Sequence, residues 1–304
     1  MRLCKKVDYM TFNTLDNCKA NIKFMLDFYI DLMSLKEVQK VSTKIEDDRN
    51  LWMQTMFSKA NNFLKLLDGT DYLKDGIHIN AILDTSVLFT IARSMYESLI
   101  AFDILFILPK TTDQQTILYS LFMAQGLSER LKDLDDDTKA ANPQRVYSEE
   151  KDIADCRKAI EETKLFNELD GSTKNIINTA FGKQYRYLFT KENQLEKVKF
   201  EDGYKQLGLW ENLFHGLYSH CSLMSHPSYL YLIQFRDQYK PDQREDINIA
   251  CYASQCVVAF LSIFIIDYMK SNVAAKEYYD HLDLTRRFAI GMFEDAMRGE
   301  NKFK

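Results

Sequence analysis

Glycine and proline are scarce, 10 and 4 in 304 residues. They punctuate tight turns, so their scarcity excludes a β-sandwich, a barrel and a dinucleotide-binding sheet with a glycine-rich loop. The six cysteines, Cys4, Cys18, Cys156, Cys221, Cys251 and Cys256, form no Cys-x-x-Cys pair. A chain of this length needs no covalent staples, so they read as free thiols in a reducing cytosol. No His-Glu-x-x-His, Glu-x-x-His, P-loop or Gly-x-Ser-x-Gly occurs. Neither a metal nor a cofactor is therefore expected. Arg2, Lys5, Lys6 and Asp8 are followed by no apolar run. That predicts a chain without a signal peptide and a cytoplasmic location.

A broad field of one charge is also missing. The net charge is −5, from 39 basic and 44 acidic residues. Residues 129–170 hold 13 acidic and 8 basic residues, which accounts for the whole excess. The most basic stretch, Lys174 to Lys205, has seven basic and four acidic residues. So small an excess gives RNA only a weak electrostatic foothold.

What is abundant is apolar bulk: 46% hydrophobic residues, with 20 Phe, 17 Tyr and 12 Met. They recur at helical spacing, as in Phe12, Leu15, Ile22, Met25, Leu26 and Tyr29. The spacing predicts helices over Asp8–Leu32, Asp47–Leu67, Ile79–Leu108, Thr112–Lys139 and Ser148–Leu169. Asn193–Lys199 and Asp202–Ser225 follow as further helical segments, with Gly208–Met224 continuous. His226-Pro227-Ser228 then ends the helix, and Tyr229–Phe235 is a short helix or strand. Pro241-Asp242 opens the next helix, which runs to Lys270, and Ser271–Met297 is the last. Ile247 to Ile266 carries no charge over twenty residues. Its length would span a bilayer, but its polar residues suit the core helix of a soluble protein, and no membrane partner is expected.

The fold class that follows is all-α. A multi-helix bundle has long central helices and a charged peripheral helical insertion. Residues 1–304 form one domain. Residues 1–70 are N-terminal helices, 79–128 and 202–297 the bundle core, and 129–201 the insertion.

Two polar stripes interrupt the apolar pattern. Glu211, His215, Tyr218, Ser222 and His226 lie at offsets that share one helical face. Ser86, Thr90, Arg93 and Glu97 do the same on the long third helix. A charged pair in so apolar a helix must be hydrogen-bonded or must face a cleft. Arg93, Glu97, Tyr218, Ser222 and His226 are therefore predicted to meet across two facing helices. Two readings stand. One is a buried network that fixes helix register. The other is an active-site cleft, in which His226 is the general acid or base and Arg93 holds an anionic group such as phosphate. There Glu97 orients its neighbours, and Tyr218 and Ser222 position the substrate.

The Arg-x-x-x-Glu of Arg93 to Glu97 and the Tyr-x-x-x-Ser-x-x-x-His-Pro-Ser of Tyr218 to Ser228 together resemble a widespread bacterial family. That family is known only as a domain of unknown function, and the likeness covers roughly residues 80 to 270. It implies a cytosolic helical protein without an established reaction. A more distant likeness is to the HEPN superfamily of helical bundles, many of which are dimeric RNases of toxin–antitoxin or phage-defence systems. Their mark is an Arg followed four to six residues later by His on one helix. No Arg precedes His215, His220 or His226 at that distance. Here the likeness rests on helical architecture.

The functional expectation is action on, or binding of, a phosphate-bearing substrate such as RNA in a defence or toxin-like role, with a homodimer as the assembly. The alternative is a non-catalytic helical protein that binds a protein partner.

Overall fold

The computed structural model describes residues 11–226, 228–238 and 244–298. Asp8, Pro227, Pro241 and Asp242, on which three expected helix boundaries rest, lie outside the described residues. Two compact units emerge, one of residues 1–100 with 200–304 and one of residues 101–199. The second is wider than the charged segment alone. The all-α expectation holds: helices dominate, and the strands among the described residues form two short antiparallel hairpins.

In the first unit, α1 (Leu15–Ser34) starts where the Thr14 side chain accepts the Asn17 N–H, and α2 (Lys44–Leu66) starts with a Thr43–Glu46 capping box. Burial at Cys18, Ile22, Met25, Tyr29 and Leu32 gives α1 a single apolar stripe. α3 (Thr85–Phe102), α7 (Leu217–Ser225) and α8 (Tyr229–Asp237) belong to the same unit, apart from the end of α3. So do α9 (Arg244–Ser271), α10 (Val273–His281) and α11 (Leu284–Arg298).

The uncharged run forms the middle of α9, which packs against α1, α2, α10 and α11. It is long and apolar enough to cross a membrane, but 78% of its most apolar window is buried inside the protein. That is the surface of a core helix covered on most of its circumference. Where α9 leaves the core, Asp267 is fully buried and binds Arg298 Nη2 and Lys270 Nζ, each at 2.5 Å. Arg298 also donates to Glu294 at 2.5 Å and to the Leu207 carbonyl at 3.1 Å. This dry network ties α11 to α9 and to the turn at Leu207. The cysteines of the described residues are free, as expected, and they are also buried.

The second unit holds α4 (Thr112–Asp133), α5 (Pro143–Glu162) and α6 (Gly171–Ala180). Their core is Ile117, Leu121, Ile160, Ile177 and Leu195. The charged segment buries few side chains. One of them is the Glu149 carboxylate, clamped by Arg130 at 2.9 Å and Arg145 at 3.2 Å.

Several expected boundaries move. Ile79 begins no helix: β1 (Thr70–Lys74) and β2 (Ile77–Ile82) pair around Asp75 and Gly76, both at positive φ. Asp-Gly at that place is a hairpin turn. α3 starts only at Thr85, where Asp84 Oδ1 accepts the Ser86 N–H at 3.0 Å. Within 193–199, β4 (Leu195–Lys197) pairs with β3 (Tyr187–Phe189) instead of forming a helix. α5 starts at Pro143, five residues earlier than Ser148, because proline suits the first helical position. The last expected helix is cut in two, with Asn272 and Asp283 capping the new starts.

Asp267→Ala should leave Arg298 charged and half-paired in a dry setting. A loss of about 3–5 kcal/mol in urea unfolding is expected. A loss under about 1 kcal/mol would show the network to be solvated.

Candidate functional site

Gly208 to Met224 is not one helix. A short turn of helix, Glu211–Phe214, ends at His215, and Gly216 at φ 82° carries the chain into α7. A left-handed backbone at that point is the natural place for glycine. The break divides the five-residue stripe. Glu211 instead accepts from the Tyr204 hydroxyl at 3.2 Å, and His215 packs edge-on to the Tyr204 ring. Neither joins Arg93.

The remaining residues meet as expected. Arg93 Nε donates to Glu97 Oε1 at 3.0 Å, one turn along α3. Its Nη1 donates to Ser222 Oγ at 3.4 Å and to His226 Nε2 at 3.0 Å. Its Nη2 donates to the Tyr218 hydroxyl at 2.6 Å, and the guanidinium carbon lies 4.7 Å from the Tyr218 ring centre. The structure thus brings together all five predicted residues, from α3, from α7 and from the residue that caps α7. The burial is partial: the Arg93 and Glu97 side chains are 22% and 30% exposed, and His226 is exposed. Water reaches the site, so the closed dry network is not what forms here.

Burial works against the Arg93 charge, but the Tyr218 hydroxyl and the Glu97 carboxylate outweigh it and raise the guanidinium above its ordinary value. A guanidinium only donates, so each partner atom must accept. Nε2 of His226 is then unprotonated, and its ring proton sits on Nδ1. Tyr218 and Ser222 accept through oxygen and keep their own hydroxyl protons to give. Four of the five Arg93 N–H groups are spent in this way. The guanidinium is therefore an organiser. It turns two hydroxyls and an imidazole into a cluster of donors beside a positive charge.

Sequence reasoning missed the layer beneath. Lys59 of α2 donates to Ser98 Oγ at 2.5 Å and to the Ser94 carbonyl at 3.1 Å. Burial lowers its ammonium pKa, while the Glu97 charge works to raise it. Glu97 therefore stands in the fields of two cations. Phe200 packs its ring against Tyr218. Lys59 has the look of any lysine on an amphipathic helix, and no spacing marks it.

Fold and site define an all-helical protein with an arginine-centred polar cluster between two helices. The model of a family of unknown function (DUF5677) matches residues 84–241, a span that contains all five site residues. The chain belongs to that family. No curated protein and no solved structure matches it.

Because the cluster is wet, Arg93→Ala should cost only roughly 1–2 kcal/mol in urea unfolding, well short of Asp267→Ala. A loss as large as that of Asp267→Ala would mark the cluster as a structural clamp.

Proposed function

We propose that this chain binds a phosphate-bearing substrate of the RNA class at the Arg93 cluster and moves a proton on it through His226. What supports this most is the conversion of Tyr218, Ser222 and His226 into hydrogen donors by one guanidinium in a half-exposed site. Phosphoryl oxygens accept only, and they gather negative charge when a phosphodiester reacts. Two hydroxyl protons and the Nδ1–H match that demand, and the Arg93 charge supports it. His226, on an exposed ring, is the group suited to take the proton, at Nε2, when Arg93 turns that N–H from the imidazole to the substrate phosphate. Glu97 holds Arg93 in place. Lys59 limits what the Glu97 charge would otherwise subtract from the local potential.

This reading carries the distant HEPN likeness with it: a cytoplasmic bacterial protein acting on RNA in phage defence or in a toxin-like role, as a homodimer. The Arg and the His come from two helices here, not from one. A second reading, a non-catalytic protein-interaction domain, draws its support from the β1–β2 hairpin. Tyr72, Leu73 and Ile77 stand 63–71% exposed there and invite a protein partner.

The test is incubation of the full-length protein with end-labelled single-stranded RNA. The wild type should retain and cut the strand. Arg93→Ala and His226→Ala should each lower the cutting rate by about 10²-fold or more. RNA neither retained nor cut by the wild type, or cut equally by both variants, would contradict the reading.

A further inference from the structure

A second feature lies on the other flank of α7. Its residues alternate between two sides. Tyr218 and Ser222 turn to Arg93, whereas His220 and Met224 turn to a groove of about 430 Å³. Three rings line that groove: Phe89, one turn before Arg93 on α3, His220, and Tyr252 on α9. Phe89 and His220 meet edge to face at 5.2 Å, Tyr252 lies 6.0 Å from His220, and Tyr252 and Phe89 are 6.2 Å apart. Phe89 is fully buried and forms the floor, while Tyr252, 42% exposed, presents ring surface at the mouth. Gln234 of α8 and Asn248 and Ile249 of α9 also line it, and the two amides have no partner among the described residues. Among the described residues, no charged side chain lines the groove.

We propose that this groove holds a nucleobase. The inference rests on the reading of the Arg93 cluster as an RNA site. Each element has a counterpart in a base. Aromatic surface offers a stacking face, which every base can use. Two free amides can each give and accept a hydrogen bond, as the edge of a base requires. The described lining offers no carboxylate to attract a cationic ligand into the ring cluster. Volume agrees as well, since the groove falls in the range of small-ligand sites. The groove and the cluster share α3, on which Phe89 and Arg93 lie one turn apart, roughly 6 Å along the helix axis. A strand with a phosphate at Arg93 would therefore place the base of a neighbouring nucleotide in the groove. The groove reads the base, and the cluster holds the backbone.

The experiment is a calorimetric titration of the full-length protein with adenosine, guanosine, cytidine and uridine, with the matching 5′-monophosphates, and with inorganic phosphate. At least one nucleoside should bind the wild type. Tyr252→Ala should weaken it about tenfold, the loss of one stacked base. Tyr252→Phe, which keeps the ring, should retain it, and Gln234→Ala should change the ranking among the four bases. Helical circular dichroism on each variant confirms the fold. His226→Ala should weaken the monophosphate and not the nucleoside. No nucleoside binding, or binding that Tyr252→Ala leaves intact, overturns the base site, even if phosphate still binds at the cluster. Nucleoside binding lost in Tyr252→Ala, together with a phosphate response indifferent to His226, keeps the base site and overturns the Arg93 reading instead.

Discussion

A guanidinium has hydrogens to give and nothing with which to accept. Much at the candidate site of this protein follows from placing one at Arg93 between α3 and α7. Its demand for acceptors sets the tautomer of His226, the direction of two hydroxyl protons and the orientation of Glu97. It also draws three residues of the α7 segment onto one side of α3. A lysine could not do the same. Its three donors radiate from one point, whereas the planar fork reaches four partners in separate directions.

The molecule uses charge in two opposed ways. Arg298, Asp267 and Glu294 are almost wholly buried and paired with one another. There the charges satisfy each other and fasten helices. Arg93 and Glu97 are partly exposed, and the atoms around them keep protons to give. The first arrangement has nothing left for a ligand, and the second does. This difference in solvation, more than the identity of the residues, separates the two clusters.

Much of the architecture was legible in residue spacing. The scarcity of Gly and Pro correctly pointed to helices, and the uncharged run of α9 correctly pointed to a core. The five site residues were legible because charge on an apolar helix demands partners, and one other segment carried ordered polar residues. What the spacing hid was punctuation. Gly216 looked like one tolerated residue in a long helix, but it takes a left-handed conformation and removes Glu211 and His215 from the stripe. The hairpin at Asp75-Gly76 was hidden by the apolar run behind it, although the alternation of Ile77 and Ile79 is that of a strand. Asn272 and Asp283 were hidden by the periodicity around them, yet each starts a new helix by capping it. Lys59 was invisible, because its role depends on which helix packs beside α3. Periodicity within one helix cannot report that.

The position of the ring proton on His226 probes the organising role of Arg93 most directly. In ¹⁵N-labelled protein, long-range proton–nitrogen correlation spectra distinguish the two nitrogens of a neutral imidazole. With Arg93 donating to Nε2, that nitrogen should appear as the unprotonated acceptor and Nδ1 as the protonated one, and replacing Arg93 by Ala should release this preference. A proton found on Nε2 in the unaltered protein would contradict it, because two donors cannot share that contact.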